Sequence, residues 1–163
     1  MDKIRRYFSS KEVLRLTNAT YRQLDTWIRE DIVRVSGVPA SGKGTRRLFT
    51  FLDIAEIRIV VSFTRNGVKL AMLKETVKNL RVYLNSVPKD YVWTDTRLIT
   101  DGRRIFKFVS SEELLESLDG CKQLAFAFDV GDELGELINA AKLLNIRDRY
   151  EKKLTVQPLY ANG

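Results

Sequence analysis

Arg22, Arg34, Lys43, Arg46 and Arg47 are cations grouped within one stretch of chain, and Thr20, Tyr21, Gln23 and Thr26 stand among them. Ammonium and guanidinium groups bind phosphate. A guanidinium also fits the acceptor edge of guanine, and a glutamine amide fits adenine. The chemistry these residues suit is recognition of a polyanion rather than bond making. The chain has no histidine and a single cysteine, Cys121. A Ser-His-Asp or Cys-His nucleophile lacks its base, a Cys/His zinc set lacks its ligands, and an intramolecular disulfide is impossible. Gly42-Lys43-Gly44-Thr45 contains Gly-Lys but lacks the upstream glycine of a phosphate-binding loop. Ser110-Ser111-Glu112-Glu113 reads as a helix start. No enzymatic activity, cofactor or resident metal is expected.

The charge is unevenly placed. The net charge is +7 over 163 residues, yet residues 1–90 carry +9 and residues 91–163 carry −2. The basic excess lies in the half that holds the cations named above, as an electrostatic footprint on phosphates requires.

The elements that must position these residues follow from caps and periodicity. Ser9 with Glu12 and Thr20 with Gln23 have capping-box spacing, so helices start at both places. Thr17-Asn18-Ala19 makes the turn between them, with Asn18 suited to left-handed backbone. Val13, Leu14 and Leu16 form the apolar side of the first helix, and Leu24, Trp27 and Ile28 that of the second. Trp27, Leu24 and Phe49 are read as core. Ile32 to Val38 is β-like, 40–45 reads as a hairpin tip, and 46–49 as the return strand. Arg47 at the base of that hairpin has a second use, pairing with a carboxylate of the first helices. Thr50 with Asp53 opens a third helix, inward at Ile54, Ile57 and Val61 with Val60 or Phe63, which ends at Asn66-Gly67. Leu70, Leu73, Val77, Leu80 and Leu84 define a fourth, stopped by Pro88.

The second half reads differently. Residues 97–108 have the form of a β-hairpin turning at Asp101-Gly102. A short helix is expected over 111–118, a strand over 124–130, and a last helix over 132–144 with Leu134, Leu137, Ile138, Ala141 and Leu144 inward. Residues 147–163 read as a loosely held tail. Trp93, Phe106, Phe108, Phe126 and Phe128 serve as core of a small module or line a pocket or association face.

Phe8-Ser9, the run Asn18-Ala19-Thr20-Tyr21-Arg22-Gln23-Leu24, Trp27, Arg47-Leu48-Phe49-Thr50 with Asp53, and Gly67-Val68-Lys69-Leu70 occur in a specific order. In that order residues 7–84 resemble the DNA-binding domain of MerR-family bacterial transcription regulators. The resemblance implies a helix-turn-helix whose second helix enters a major groove, with a basic wing beside it. DNA contacts are then expected from Thr20, Tyr21, Arg22, Gln23, Thr26, Arg34, Lys43, Arg46 and Arg47. It also implies transcriptional control with distortion of operator DNA. The chain departs from the family pattern in three places. The paired tyrosines of the recognition helix are Thr26 and Trp27, and the glycine after that helix is Asp31. No heptad run after residue 84 corresponds to the family's long antiparallel dimerisation helix. Cys121 alone cannot serve as a metal-sensing cluster.

The expected fold class is α+β: a mainly helical winged helix-turn-helix domain over 1–86, then a small α/β domain over 91–146 for dimerisation or for effector or partner binding, then the 147–163 tail. The expected protein is a homodimer on an inverted repeat of double-stranded DNA, with a small-molecule or protein effector at the second domain. The alternative is a DNA-binding adaptor or antitoxin-like protein whose second domain binds a protein partner. No apolar run reaches the ~20 residues that cross a bilayer, and MDKIRRYF lacks a signal-peptide apolar segment. The expected location is the cytoplasm, on the nucleoid, with no membrane partner.

Overall fold

A computed structural model of the chain describes residues 7–38, 41, 42, 44, 46–86, 97–100, 105–108 and 126–156. Lys43, the Asp101-Gly102 turn, the 111–118 helix, Pro88, Trp93, Cys121 and residues 157–163 lie outside the described residues.

The first half is built by its caps. Strand β1 (Phe8–Ser9) leads into α1 (Ser10–Thr17), where Ser9 and Glu12 form the expected capping box. Asn18 stops α1 in the left-handed region, at φ 57° and ψ 22°. Thr20 and Gln23 form the second box and open α2 (Tyr21–Arg29). After β2 (Leu48–Phe49), Thr50 and Asp53 form a third box and open α3 (Phe51–Arg65). Helix α4 (Leu70–Ser86) follows. Each box satisfies two of the amides that a helix start leaves without partners.

Two of these helices end in the same way. At the end of α2, Ile32 N donates to Trp27 O at 2.8 Å and Asp31 N donates to Ile28 O at 3.1 Å. At the end of α3, Val68 N donates to Phe63 O and Gly67 N donates to Thr64 O, each at 3.1 Å. This paired arrangement is the Schellman motif, and it needs left-handed backbone at the residue just past the helix. Gly67 provides that at φ 80°, whereas Asp31 does so at φ 53° with a side chain present.

The hairpin expected over 32–49 is mostly not β-structure. Ile32 and Val33 are buried and both donate to the Trp27 carbonyl, so they close α2 instead of extending as a strand. Among the described residues the two arms meet where Val38 pairs with Leu48, by two hydrogen bonds of 3.0 and 2.8 Å. On its other side Leu48 pairs with Ser9 of β1. Gly37 is required here, because a Cβ on it would lie 2.2 Å from the Leu48 carbonyl oxygen.

In the second half, β3 (Arg97–Thr100) lies between β4 (Ile105–Phe108) and β5 (Phe126–Asp129), antiparallel to both. The expected pairing of β3 with β4 is present, with Arg97 opposite Phe108 and Thr100 opposite Ile105. Helix α5 (Val130–Val156) then runs 27 residues. The expected helix stopped near 144 and the rest was read as tail, so this is a correction: α5 continues to Val156. Alternating charge over 147–153 hides the helix from a reading based on apolar spacing.

Most of the buried apolar side chains among the described residues form one cluster. Phe8, Leu24, Trp27, Phe49, Ile57, Phe63, Leu73 and Leu80 share it with Leu98, Val130, Leu134, Leu137 and Ala141. Each fully buried side chain of this size contributes about 1.5–3 kcal/mol. Leu70 departs from its expected inward place, being 44% exposed at the first residue of α4. No helix among the described residues is long and apolar enough to cross a membrane.

Candidate nucleic-acid interface

Helix α2 buries Leu24 and Trp27 and leaves its first turn in solvent. Trp27 is 2% exposed and Tyr21 is 64% exposed, so the core reading of Trp27 holds and Tyr21 faces outward. Thr20 and Arg22 are exposed, while Gln23 and Thr26 are partly covered. Gln23 is engaged locally: its Oε1 accepts from Thr20 N at 2.9 Å and from Thr20 Oγ1 at 3.1 Å. Thr20 Oγ1 in turn accepts from Gln23 N at 3.2 Å.

The remaining expected residues divide by their partners. Arg47 Nη1 donates to Asp25 Oδ1 at 3.2 Å, which ties the end of the 39–47 loop to the middle of α2. This is the carboxylate partnership foreseen for Arg47. Asp25 also lies 3.4 Å from Arg29. Arg34 sits 3.6 Å from Asp31, with both side chains more than half exposed. Among the described residues Arg22 and Arg46 are the expected contacts that have a cationic side chain, exposure and no protein partner. The structure therefore brings Arg22, Arg46 and Arg47 to the region of α2 and the loop beside it, and leaves two of the three unengaged.

A buried polar frame, of which the sequence reading saw the Thr50–Asp53 cap alone, surrounds the start of α3. Asp53 is 4% exposed and accepts from Ser36 N at 3.0 Å, from Ser36 Oγ at 2.6 Å and from Thr50 N at 2.8 Å. It caps α3 and also anchors the segment that leads to Val38. One turn on, Glu56 is 3% exposed and is held bidentately by Arg81 of α4, from Nε at 3.0 Å and Nη2 at 2.5 Å. Burial, with Asp53 nearby adding to it, outweighs the attraction of Arg81 and pushes the Glu56 carboxyl up to about 7 from its ordinary 4.5. A cavity of about 230 Å³ opens here, bounded by Ser36, Asp53, Glu56, Arg81 and Leu84.

Arg58 of α3 joins the halves. Its Nε donates to Glu133 at 2.5 Å, its Nη2 to Glu136 at 2.7 Å, and its Nη1 to the Leu16 carbonyl at 3.1 Å. That last bond satisfies a carbonyl that the end of α1 leaves open. The available signal for both pairs was a glutamate and an arginine, Glu56 and Arg58, inside the otherwise apolar run of α3. Buried charges of that kind need partners.

Two short helices at a tight turn, the second presenting its first turn beside a basic loop, define a helix-turn-helix module. Residues 8–80 match the family described as MerR HTH family regulatory protein, and this part of the chain belongs to the MerR helix-turn-helix family. Beyond the family match, the chain is similar to proteins described as uncharacterized HTH-type transcriptional regulators. One is from Mycobacterium bovis and two are from strains of Mycobacterium tuberculosis, each 32% identical over 122 residues. The similarity covers 75% of this chain and 52% of each relative, so the chain spans about half the length of the curated relatives it matches. A match of 122 residues is longer than the 8–80 segment, so it runs into the second half as well.

Proposed function

We propose that the protein is a sequence-specific double-stranded DNA-binding regulator of transcription, acting as a homodimer on an inverted repeat. The observation that carries the reading is the solvent-facing first turn of α2, with Arg22 unengaged, beside a loop bearing Arg46 and Arg47. In this reading α2 lies in a major groove, and the loop supplies phosphate or minor-groove contacts, Lys43 included. The descriptions of the mycobacterial relatives support a role in transcription. The protein works in the bacterial cytoplasm on the nucleoid, as a binding protein and not as an enzyme. An effector or partner acts through the second half.

Support for the dimer comes from α5. Val130, Leu134, Leu137 and Ala141 are buried against the rest of the chain, whereas Leu143 is 67% exposed. At 3.6 residues per turn, Leu143 falls on the side of α5 opposite 130, 134, 137 and 141. An exposed leucine on the outer side of a 27-residue helix suits pairing with the same helix of a second copy. The alternative, an adaptor or antitoxin-like protein, draws on the same side and gives it a helix of another protein. Selection of bound sequences from random duplex DNA tests the first reading, and sedimentation equilibrium of the purified chain tests the dimer. An enriched inverted repeat with a dimeric mass is expected. Binding of equal strength to every duplex would defeat the regulator reading, and a monomeric mass at all concentrations would defeat the dimer.

A further inference from the structure

The inference rests on the DNA-binding reading above and carries it to the bases. The first turn of α2 offers Tyr21, Arg22 and Gln23, and they are not equally available. A glutamine reads adenine by pairing its acceptor and its donor with N6 and N7 together. The Gln23 acceptor is already taken by two donors of Thr20. Further along, the Asp25 carboxylate holds Arg47 and faces Arg29, and Asp31 faces Arg34. Tyr21 and Arg22 have no such tie among the described residues, and Tyr21 is 64% exposed. An aromatic ring left in water at the tip of a polar face has an apolar surface to offer.

We infer that sequence reading by the first turn of α2 is confined to Tyr21 and Arg22. Arg22 donates through two N–H groups to O6 and N7 of a guanine. Tyr21 lays its ring on the 5-methyl group of a thymine next to that guanine. Gln23 is a structural residue of the helix start. Each half-site then holds a core of guanine beside thymine where the first turn of α2 enters the groove.

The test is selection from random duplex DNA by the full chain and by three variants, Arg22→Gln, Tyr21→Ala and Gln23→Glu. Glutamate keeps the capping box but has no amide. The unaltered chain and Gln23→Glu are expected to enrich the same core. Arg22→Gln is expected to erase the guanine or exchange it for adenine, with roughly a 5- to 100-fold loss on the original core. Tyr21→Ala is expected to erase the thymine. Replacing that thymine by uracil should weaken the unaltered chain several-fold and leave Tyr21→Ala unaffected, roughly as loss of one methyl contact predicts. A changed core for Gln23→Glu, an intact core for Arg22→Gln or Tyr21→Ala, or a loss by Arg22→Gln that is equal on all sequences would each overturn the inference. If the unaltered chain enriches nothing, the DNA-binding reading itself fails. That result is distinct from an enriched core that the variants leave intact.

Discussion

The Arg47 guanidinium donates to the Asp25 carboxylate at 3.2 Å, and the same carboxylate lies 3.4 Å from Arg29. One acid on α2 thus faces two arginines, Arg47 of the face assigned to DNA and Arg29 one turn further along the helix. Asp25→Asn should change stability by less than about 1 kcal/mol, because such partly exposed pairs are worth little. It frees both arginines for phosphate. Binding to duplex of arbitrary sequence should tighten, and the dependence of log K on log salt should steepen by roughly one to two. Titrations of one random-sequence duplex at several salt concentrations measure this. An unchanged slope would mean that Arg29 and Arg47 reach DNA without leaving Asp25, or never reach it.

Arg58 is 14% exposed in its side chain and serves three acceptors on two other helices. Arg58→Met strands Glu133 and the Leu16 carbonyl, and should cost about 2–3 kcal/mol. Glu136 adds little, since it is 72% exposed. Denaturant melts of Arg58→Met, and of the double variant with Glu133→Leu, provide the check. The double variant should recover part of the loss, because no unpaired carboxylate remains at 133.

Asp31 and Gly67 occupy equivalent places in two Schellman motifs. Left-handed backbone costs a side-chain-bearing residue about 1 kcal/mol, with aspartate at the milder end. Asp31→Gly should therefore raise stability by up to about 1 kcal/mol, and Gly67→Ala should lower it by about the same amount. The Arg34 pair lost with Asp31 is too exposed to reverse the sign. Thermal melts should move in opposite directions for the two variants.

Glu56 sets a pH dependence. Burial raises its carboxyl from 4.5 to about 7. Between these values the folded chain binds a proton more readily than the unfolded one. The stability this confers is full below 4.5 and is lost as pH rises through about 7. Stability curves from pH 5 to 8 should include a decline from this group, and Glu56→Gln should remove that part of the slope. A Glu56→Gln curve parallel to that of the unaltered chain would show that Glu56 does not titrate in this range.

The elements with local causes were legible in the sequence. Ser9, Thr20 and Thr50 announce their helices because a cap and its partner lie three residues apart, and Asn18 and Gly67 announce two stops. The pairing of β3 with β4 was legible from a turn signal within the same twelve residues. Long-range relations were hidden. Nothing near Arg58 points 75 residues ahead to Glu133, and nothing near Ser36 names Asp53. The β-rich composition of 32–38 misled because Ile32 and Val33 are claimed by the end of α2, and one carbonyl, that of Trp27, overrides local propensity. At the candidate interface the residue types were legible but not their availability. Capping-box spacing already offered Gln23 a structural use, and the geometry shows its acceptor spent on Thr20.

Leu48 pairs with Ser9 on one side and Val38 on the other, and Gly37 fits beneath its carbonyl. Val38 and Leu48 clasp the two ends of the intervening segment, and Arg47 adds a tie to Asp25. A segment closed at its ends in this way can change in length. Closing a loop of twice its length costs only about 0.6 kcal/mol more. Its length and charge can be exchanged between related proteins while the clasp, the helix caps and α2 stay as they are. How far a regulator of this build reaches along a duplex can therefore drift independently of the sequence it recognises.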